Sequence, residues 1–254
     1  MKLLIDGDIL LHRFAFSNQY SIDWDGDGEL VDVLDADKAK RELDQDVKDL
    51  LKATKTKSYV FCISSNFNFR YKVLPTYKHN RTGEKPKLYD ILKEHVESIH
   101  AALHYKNLEA DDLMGIISTR QPEGWVIASL DKDMDQIPGW HYNWNKQSLY
   151  RTEQSWCDYW FLRQVLTGDS TDGYKGCPGI GPKKADLVLQ PAMSPEPMLF
   201  NMEIGWEQVV EAYEKKGLTE ADALQQARVA RILRHGEYDE RTFKPVLWTP
   251  PVSN

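Results

Sequence analysis

Cysteine is scarce in this chain, and the few copies are badly placed for covalent or zinc-based architecture. Cys62, Cys157 and Cys177 lie far apart, form no Cys-x-x-Cys pair and leave an odd number, which speaks against a disulfide framework and against a cysteine-held zinc ion. No apolar run approaches the ~20 residues needed to span a bilayer. Met1-Lys2-Leu3-Leu4-Ile5 meets Asp6 too soon for the apolar core of a secretory leader. A cytoplasmic protein with no membrane partner is therefore expected. Internal repeats and low-complexity stretches are absent as well. Positive charge is also in short supply: the net charge is −7, which on its face argues against a nucleic-acid partner, since affinity for a phosphate backbone comes mainly from Lys and Arg.

Acidic residues, by contrast, are plentiful and gathered. They recur in four short clusters, Ile5-Asp6-Gly7-Asp8, Glu109-Ala110-Asp111-Asp112, Asp131-Lys132-Asp133 and Gly168-Asp169-Ser170-Thr171-Asp172. Carboxylates brought together repel one another and hold protons unless cations neutralise them, so convergence of these clusters points to a two-magnesium site for phosphoryl transfer. The candidate ligands are Asp6, Glu109, Asp111, Asp112, Asp131, Asp133, Asp169 and Asp172, while Asp8 is read as either a helix cap or a further ligand. Setting those eight acids aside turns the balance from −7 to +1. Basic residues cluster locally at Arg70 to Lys87 and Lys175 to Lys184, so local charge decides the partner.

The fourth acidic pair runs into Asp172-Gly173-Tyr174-Lys175-Gly176-Cys177-Pro178-Gly179-Ile180-Gly181-Pro182-Lys183-Lys184. Gly179 and Gly181 permit a tight turn whose N–H groups approach a phosphate, Pro182 suits a first helical turn, and Lys183 and Lys184 add charge. This is the pattern of a helix-hairpin-helix at about 169–190, which grips a nucleic-acid backbone without reading bases.

The apolar runs Lys2–Leu10, Ser58–Ser64 and Trp125–Leu130 have strand length and are separated by helical stretches, the signature of a parallel α/β sheet. Functional groups in such sheets collect beyond the strands' carboxyl ends, where Asp6 and Asp131 fall. Helices are expected near Val31–Lys57, Leu88–His104, Leu108–Thr119, Glu153–Leu166, Trp206–Lys216 and Glu220–Leu233. A polar, basic loop is expected over His79–Lys87, a Pro-containing opening at Pro191, Pro195 and Pro197, and an extended tail from Lys244.

These motifs, with Phe69-Arg70, Pro75-Thr76-Tyr77-Lys78-His79-Asn80-Arg81 and Ala230-Arg231-Ile232-Leu233-Arg234, stand in the order found in the flap-endonuclease and 5′→3′ exonuclease family, and the chain most resembles its bacteriophage members. The resemblance implies a PIN-like α/β fold with a mostly parallel sheet, a nuclease domain over 1–152 with a short arch near 79–105, and a helical C-terminal region over 153–254. It implies magnesium-dependent, two-metal hydrolysis at 5′ ends of duplex or 5′-branched DNA, with manganese able to substitute, leaving 5′-phosphates, and flap cleavage and RNA·DNA hybrids as secondary activities. Lys78 and Arg81 are the implied phosphate-facing catalytic groups. Arg70, Gly179, Gly181, Lys183 and Lys184 are the implied DNA contacts, with a monovalent cation at the hairpin and a monomeric protein. The family pattern has one further Asp shortly before the position of Arg70, where this chain has Ile63-Ser64-Ser65.

Two rival readings account for parts of the sequence. A haloacid-dehalogenase-like phosphatase would use Asp6 as nucleophile and Asp8 as acid/base but leaves Glu109, Asp111 and the hairpin idle. A DNA-binding protein without catalysis would fit the missing acid. Three smaller signals are read plainly. Asp23 to Leu34 imitates a calcium loop but has Leu34 where a bidentate Glu is needed, so it is an acidic turn. Trp156, Trp160 and Phe161 are read as core, with Trp144 a candidate stacking surface. His12, His95, His100, His104 and His235 match no ligand spacing with the cysteines and are read as structural or surface.

Overall fold

The computed structural model describes residues 1–194 and 199–251; Pro195 and Pro197 lie outside the described residues. The first half runs β1 (Lys2–Asp6), α1 (Gly7–Ser17), β2 (Gln19–Ile22), β3 (Val31–Leu34), α2 (Ala36–Thr54), β4 (Tyr59–Cys62) and α3 (Arg70–Val73). It continues through α4 (Tyr89–Ile99), β5 (Ala102–Leu103), α5 (Ala110–Arg120), β6 (Trp125–Ala128), β7 (Gly139–Asn143) and β8 (Ser148–Thr152). Then follow α6 (Gln154–Thr167), α7 (Pro182–Leu189), α8 (Met202–Glu214), α9 (Glu220–Ala230), β9 (Tyr238–Asp239) and β10 (Lys244–Pro245). Among these, no helix is long and apolar enough to cross a membrane.

The apolar runs do form the sheet, in the order β5-β4-β1-β6-β7-β8. Its first five strands are parallel, and only β8 runs antiparallel, against β7. β1 sits in the middle with Leu3, Leu4 and Ile5 fully buried, as a strand covered on both faces should be. One face is covered by α1, α2 and α4. On α2 the buried residues Ala39, Leu43, Val47 and Leu50 recur every three or four positions and so share one stripe. Asp35 caps that helix at Lys38 N (2.9 Å), and Lys55, in the left-handed region at φ 54°, ends it. The other face is covered by α5, whose Leu113 and Met114 pack with Leu4, Cys62 and Ile127.

A second core joins α6, α8 and α9 through Phe161, Leu162, Val209, Tyr213 and Ala227, and it also takes in Tyr77 and Tyr174. The segment after α9 straps back onto the sheet: Ile232 packs with the α5 face, and Leu233 joins Phe69 and Leu108. Gly115 makes that crossing feasible, since a Cβ there would lie 2.3 Å from the Leu233 carbonyl oxygen.

Several sequence expectations need correction. Val31–Leu34 is not helical; it pairs antiparallel with β2, consistent with the β-branched residues of Val-Asp-Val-Leu. The first strand stops at Asp6, because Gly7 already lies against Cys62, where a Cβ would come 2.7 Å from its carbonyl oxygen, and α1 starts there. Trp156 is 41% exposed rather than core, while Phe161 is fully buried. The tail is not merely extended: Lys244–Pro245 pairs with β9, and Trp248 packs edge-on against Phe161 and Trp206.

Candidate active site

The carboxyl ends of β1 and β6 deliver the first acids. Asp6 closes β1 and caps α1, accepting from Ile9 N at 3.2 Å and from the Ser129 hydroxyl at 2.7 Å. Three residues past β6, Asp131 opens a 3-10 turn by accepting from Asp133 N at 2.8 Å. The N-terminus of α5 supplies Glu109 as its capping residue and Asp111 in its first turn, a position where backbone N–H groups favour negative charge.

Asp169 and Asp172 come from the loop after α6. That loop is closed by Asp169 N to Tyr174 O (2.9 Å) and by the Asp169 carboxylate on Thr171 N (2.7 Å). The basic turn docks against it: Lys78 N donates to Asp172 O (2.7 Å), and the Asn80 amide donates to Ser170 O (2.5 Å). Gly173, at φ 75°, is where the two turns meet, with an added Cβ 3.2 Å from the Thr76 carbonyl oxygen.

Asp6, Asp8, Glu109, Asp111, Asp131, Asp133, Asp169 and Asp172 thereby line one cleft of about 790 Å³, together with Lys78, Arg81, Lys132, Ser64 and Ser65. The electrostatics divide this wall in two. Burial, opposed by the Ser129 hydroxyl and reinforced by Asp8 and Asp131, pushes the Asp6 carboxyl up to about 7. Burial and Asp131 push Asp133 up to about 7 likewise. Asp111 is raised strongly by burial and by Asp131 and Asp6, and Asp131 is raised by burial. Glu109 goes the other way: burial opposes its charge, but Arg70, Lys78 and the Tyr77 hydroxyl (2.9 Å) hold it below the usual range. Lys78, pinned between Glu109 and Asp172, stays charged despite its own burial. Arg81 reaches Asp172 at 2.6 Å from the cleft mouth, where its side chain is 53% exposed. One buried oxygen, Asp133 Oδ1, has no hydrogen-bond partner at all.

Two of the expected site residues, Arg70 and Asp112, are buried behind the cleft. Arg70 is only 3% exposed, so it cannot meet a DNA backbone as it stands. Its guanidinium grips the Asp112 carboxylate twice at 2.7 Å, and it also donates to Val229 O (2.8 Å) and Arg231 O (2.7 Å). Asp112, fully buried, accepts Leu233 N as well (3.1 Å) and does not line the cleft. This bidentate pair locks α3, α5 and the C-terminal strap behind the acidic wall of the cleft. Asp8, read as either cap or ligand, faces the cleft and accepts from Ser64 N (3.3 Å) and the Tyr89 hydroxyl (3.2 Å), while Asp6 does the capping. Gly179, Gly181, Lys183 and Lys184 lie away from the cleft on an exposed turn leading into α7. The sequence reading missed Lys132, which reaches Asp169 at 3.3 Å, and Tyr77. Both flank residues that were singled out, so adjacency was the available signal.

A sequence model of the 5′-3′ exonuclease N-terminal, resolvase-like domain matches residues 1–156. The chain is 30% identical to the exonuclease of Escherichia phage T7, over 98% of this chain and 93% of that protein. It is 27% identical to the exodeoxyribonuclease of Enterobacteria phage T3, over 98% and 92%. Among solved structures, the T5 D15 protein co-crystallised with metal ions shares the fold with a TM-score of 0.67 at 15% identity, covering 90% of this chain and 88% of that one. A match across more than half of the chain, and a phage relative alike along nearly its whole length, place this protein in the 5′-3′ exonuclease family of nucleases.

Proposed function

We propose that this nuclease hydrolyses DNA from 5′ ends of duplex or 5′-branched substrates with two divalent ions, magnesium by preference and manganese as substitute. The carrying observation is the cleft itself. Seven of the eight assigned acids line it, several are pushed towards protonation by burial and mutual repulsion, and Asp133 Oδ1 is left unpaired. An all-oxygen donor set of this kind fits magnesium. Asp6, Glu109 and Asp111 would hold one ion, and Asp131, Asp133, Asp169 and Asp172 the other. The bound ions would supply an activated water and charge neutralisation at the leaving 3′ oxygen, giving 5′-phosphate products. The related T5 5′-exonuclease has been crystallised with zinc, and T5 D15 with DNA and metal ions.

The chain's own residues supply the rest. Lys78 and Arg81 sit on acids of the cleft and carry the charge that a phosphodiester's oxygens need as they become more negative. The Ser129 hydroxyl bridges Asp6 and Asp131 N (3.0 Å), fixing the two strand-end acids relative to each other. The stretch near 79–105 forms the short arch in this reading; its opening residues 79–85 are exposed, and Lys87 ties it to Asp32 of the β2–β3 hairpin. RNA·DNA hybrids are a second substrate in this reading, and the protein acts as a monomer in the host cytoplasm, with nuclease and helical regions meeting near 152. A duplex labelled at its 5′ end distinguishes the alternatives. Magnesium-dependent release of short labelled products is expected; tight binding without release would leave a DNA-binding protein, and a phosphoenzyme on Asp6 would indicate a phosphatase.

In this reading the helix-hairpin-helix at about 169–190, which includes the turn into α7, serves as the backbone grip. Lys184 Nζ donates to Gly179 O at 2.9 Å, so its ammonium sits on a carbonyl that a monovalent cation would otherwise take. Lys183→Ala with Lys184→Ala should weaken DNA binding equally across sequences and reduce the slope of log affinity against log salt by about one to two units, each lost phosphate contact removing about 0.9. An unchanged slope would remove the hairpin from the interface.

The missing acid before Arg70 also has a measurable consequence. Ser64 and Ser65 line the cleft where the family carries a carboxylate, and the Ser64 hydroxyl is committed to Ala110 N (2.9 Å). Ser65→Asp should therefore lower the magnesium concentration for half-maximal cleavage, with Ser64→Asp run in parallel. If neither midpoint moves down, this edge of the cleft does not face the ions.

A further inference from the structure

On the opposite end of α4 from the cleft, three residues that sequence spacing left unconnected come together. Asp44 projects from α2, His95 from α4, and His100 follows α4 directly. Asp44 Oδ1 lies 2.9 Å from His95 Nε2 and 2.9 Å from His100 Nε2. The two nitrogens and a carboxylate oxygen lie within 4.8 Å of one another. The imidazoles are mostly buried, at 15% and 8% side-chain exposure, while Asp44, at 31%, leaves the group open to water on one side. The Tyr59 hydroxyl of β4 sits 2.5 Å from His100 Nδ1, the outer-shell contact that orients a metal-binding imidazole and sets which nitrogen is free.

We propose that Asp44, His95 and His100 form a transition-metal site, zinc being the best fit, that staples α2 to α4. Two imidazoles and one carboxylate with an open position match three-ligand zinc coordination completed by water. Nitrogen donors disfavour magnesium, so this site and the all-oxygen cleft would select different ions. Bonds of the usual zinc length place tetrahedral ligand atoms about 3.3 Å apart, close to the 2.9 Å seen here, so a small spreading of the side chains accommodates the ion. The staple has a reach into the cleft, because the same helix begins with Tyr89, whose hydroxyl donates to Asp8 at 3.2 Å. The cysteines take no part in this site; the two histidines lie fifty-one and fifty-six residues from Asp44, separations that sequence spacing does not connect.

The test is zinc binding in millimolar magnesium, which keeps the acidic cleft filled, read as bound zinc per chain after equilibrium dialysis and as the shift in thermal midpoint. Cobalt(II) absorption serves as a second probe, since a four-coordinate nitrogen-containing site absorbs far more strongly than an octahedral oxygen site. Wild type should retain one zinc per chain, gain a higher midpoint and show strong cobalt bands. Asp44→Asn, which keeps an acceptor oxygen for the imidazoles, and His95→Gln should each bind zinc at least tenfold more weakly and lose the midpoint gain. Asp131→Asn should keep it. Circular dichroism identifies any variant that has failed to fold, and Asp44→Asn then decides alone. Equal zinc retention in wild type and Asp44→Asn, or no zinc on wild type at tens of micromolar, would overturn the proposal.

Discussion

Asp131→Asn is expected to slow magnesium-dependent cleavage by a factor on the order of 10³ or more, about 4 kcal/mol of transition-state stabilisation, while DNA binding is retained or tightened. Asparagine is nearly isosteric and keeps an oxygen to accept Asp133 N, now 2.8 Å away, so the 3-10 turn survives. What is lost is one negative charge at the point where Asp6, Asp111 and Asp133 all feel it. Removing that charge lowers repulsion towards a DNA backbone, which is why affinity should not fall. Single-turnover cleavage and fluorescence anisotropy on the same labelled duplex measure the two quantities. Turnover at the wild-type rate in magnesium would mean that Asp131 is no ligand.

Arg70→Ala should cost about 3–5 kcal/mol of stability, because it leaves the fully buried Asp112 carboxylate without its partner. For a chain of this size each kcal/mol moves the thermal midpoint by about 2–4 °C, so a fall on the order of 10 °C is expected. Replacing both partners, Arg70→Leu with Asp112→Leu, should recover part of that loss, since no buried charge is then left alone. A DNA-contacting Arg70 would behave differently, keeping its midpoint and losing a unit of salt slope. Thermal unfolding and a salt titration of binding separate the two outcomes. Cleavage should also suffer in the stable background, since Glu109 is held in part by Arg70 Nη1 at 3.2 Å.

Which parts of this arrangement could be read from the chain follows from the range of the interactions involved. Strand-length apolar runs are local, and Lys2–Asp6, Tyr59–Cys62 and Trp125–Ala128 emerge where they were expected. Placing Asp6 and Asp131 beyond parallel strands then needs only the general geometry of α/β sheets. The convergence of Asp169 and Asp172 with them rested on motif order, since nothing local brings a loop after α6 to the end of β1. Residues whose roles depend on a distant partner were misjudged. Arg70 looked like a surface cation because its acid, Asp112, is forty-two positions away. Asp112 in turn looked like a ligand because it shares a cluster with Asp111, although its place in the helix turns it towards the C-terminal strap rather than the cleft. The antiparallel pair β7–β8 passed unnoticed because Trp144 read as a candidate stacking surface; it packs partly against the sheet core, to which the buried Tyr142 of β7 also belongs.

Manganese(II) anomalous diffraction from crystals of the wild-type protein tests most directly whether the cleft acids bind two divalent ions. Two anomalous peaks are expected, one bounded by Asp6, Glu109 and Asp111 and the other by Asp131, Asp133, Asp169 and Asp172, with Asp112 still paired to Arg70 and outside both shells. A cleft without any anomalous peak at saturating manganese would contradict the assignment.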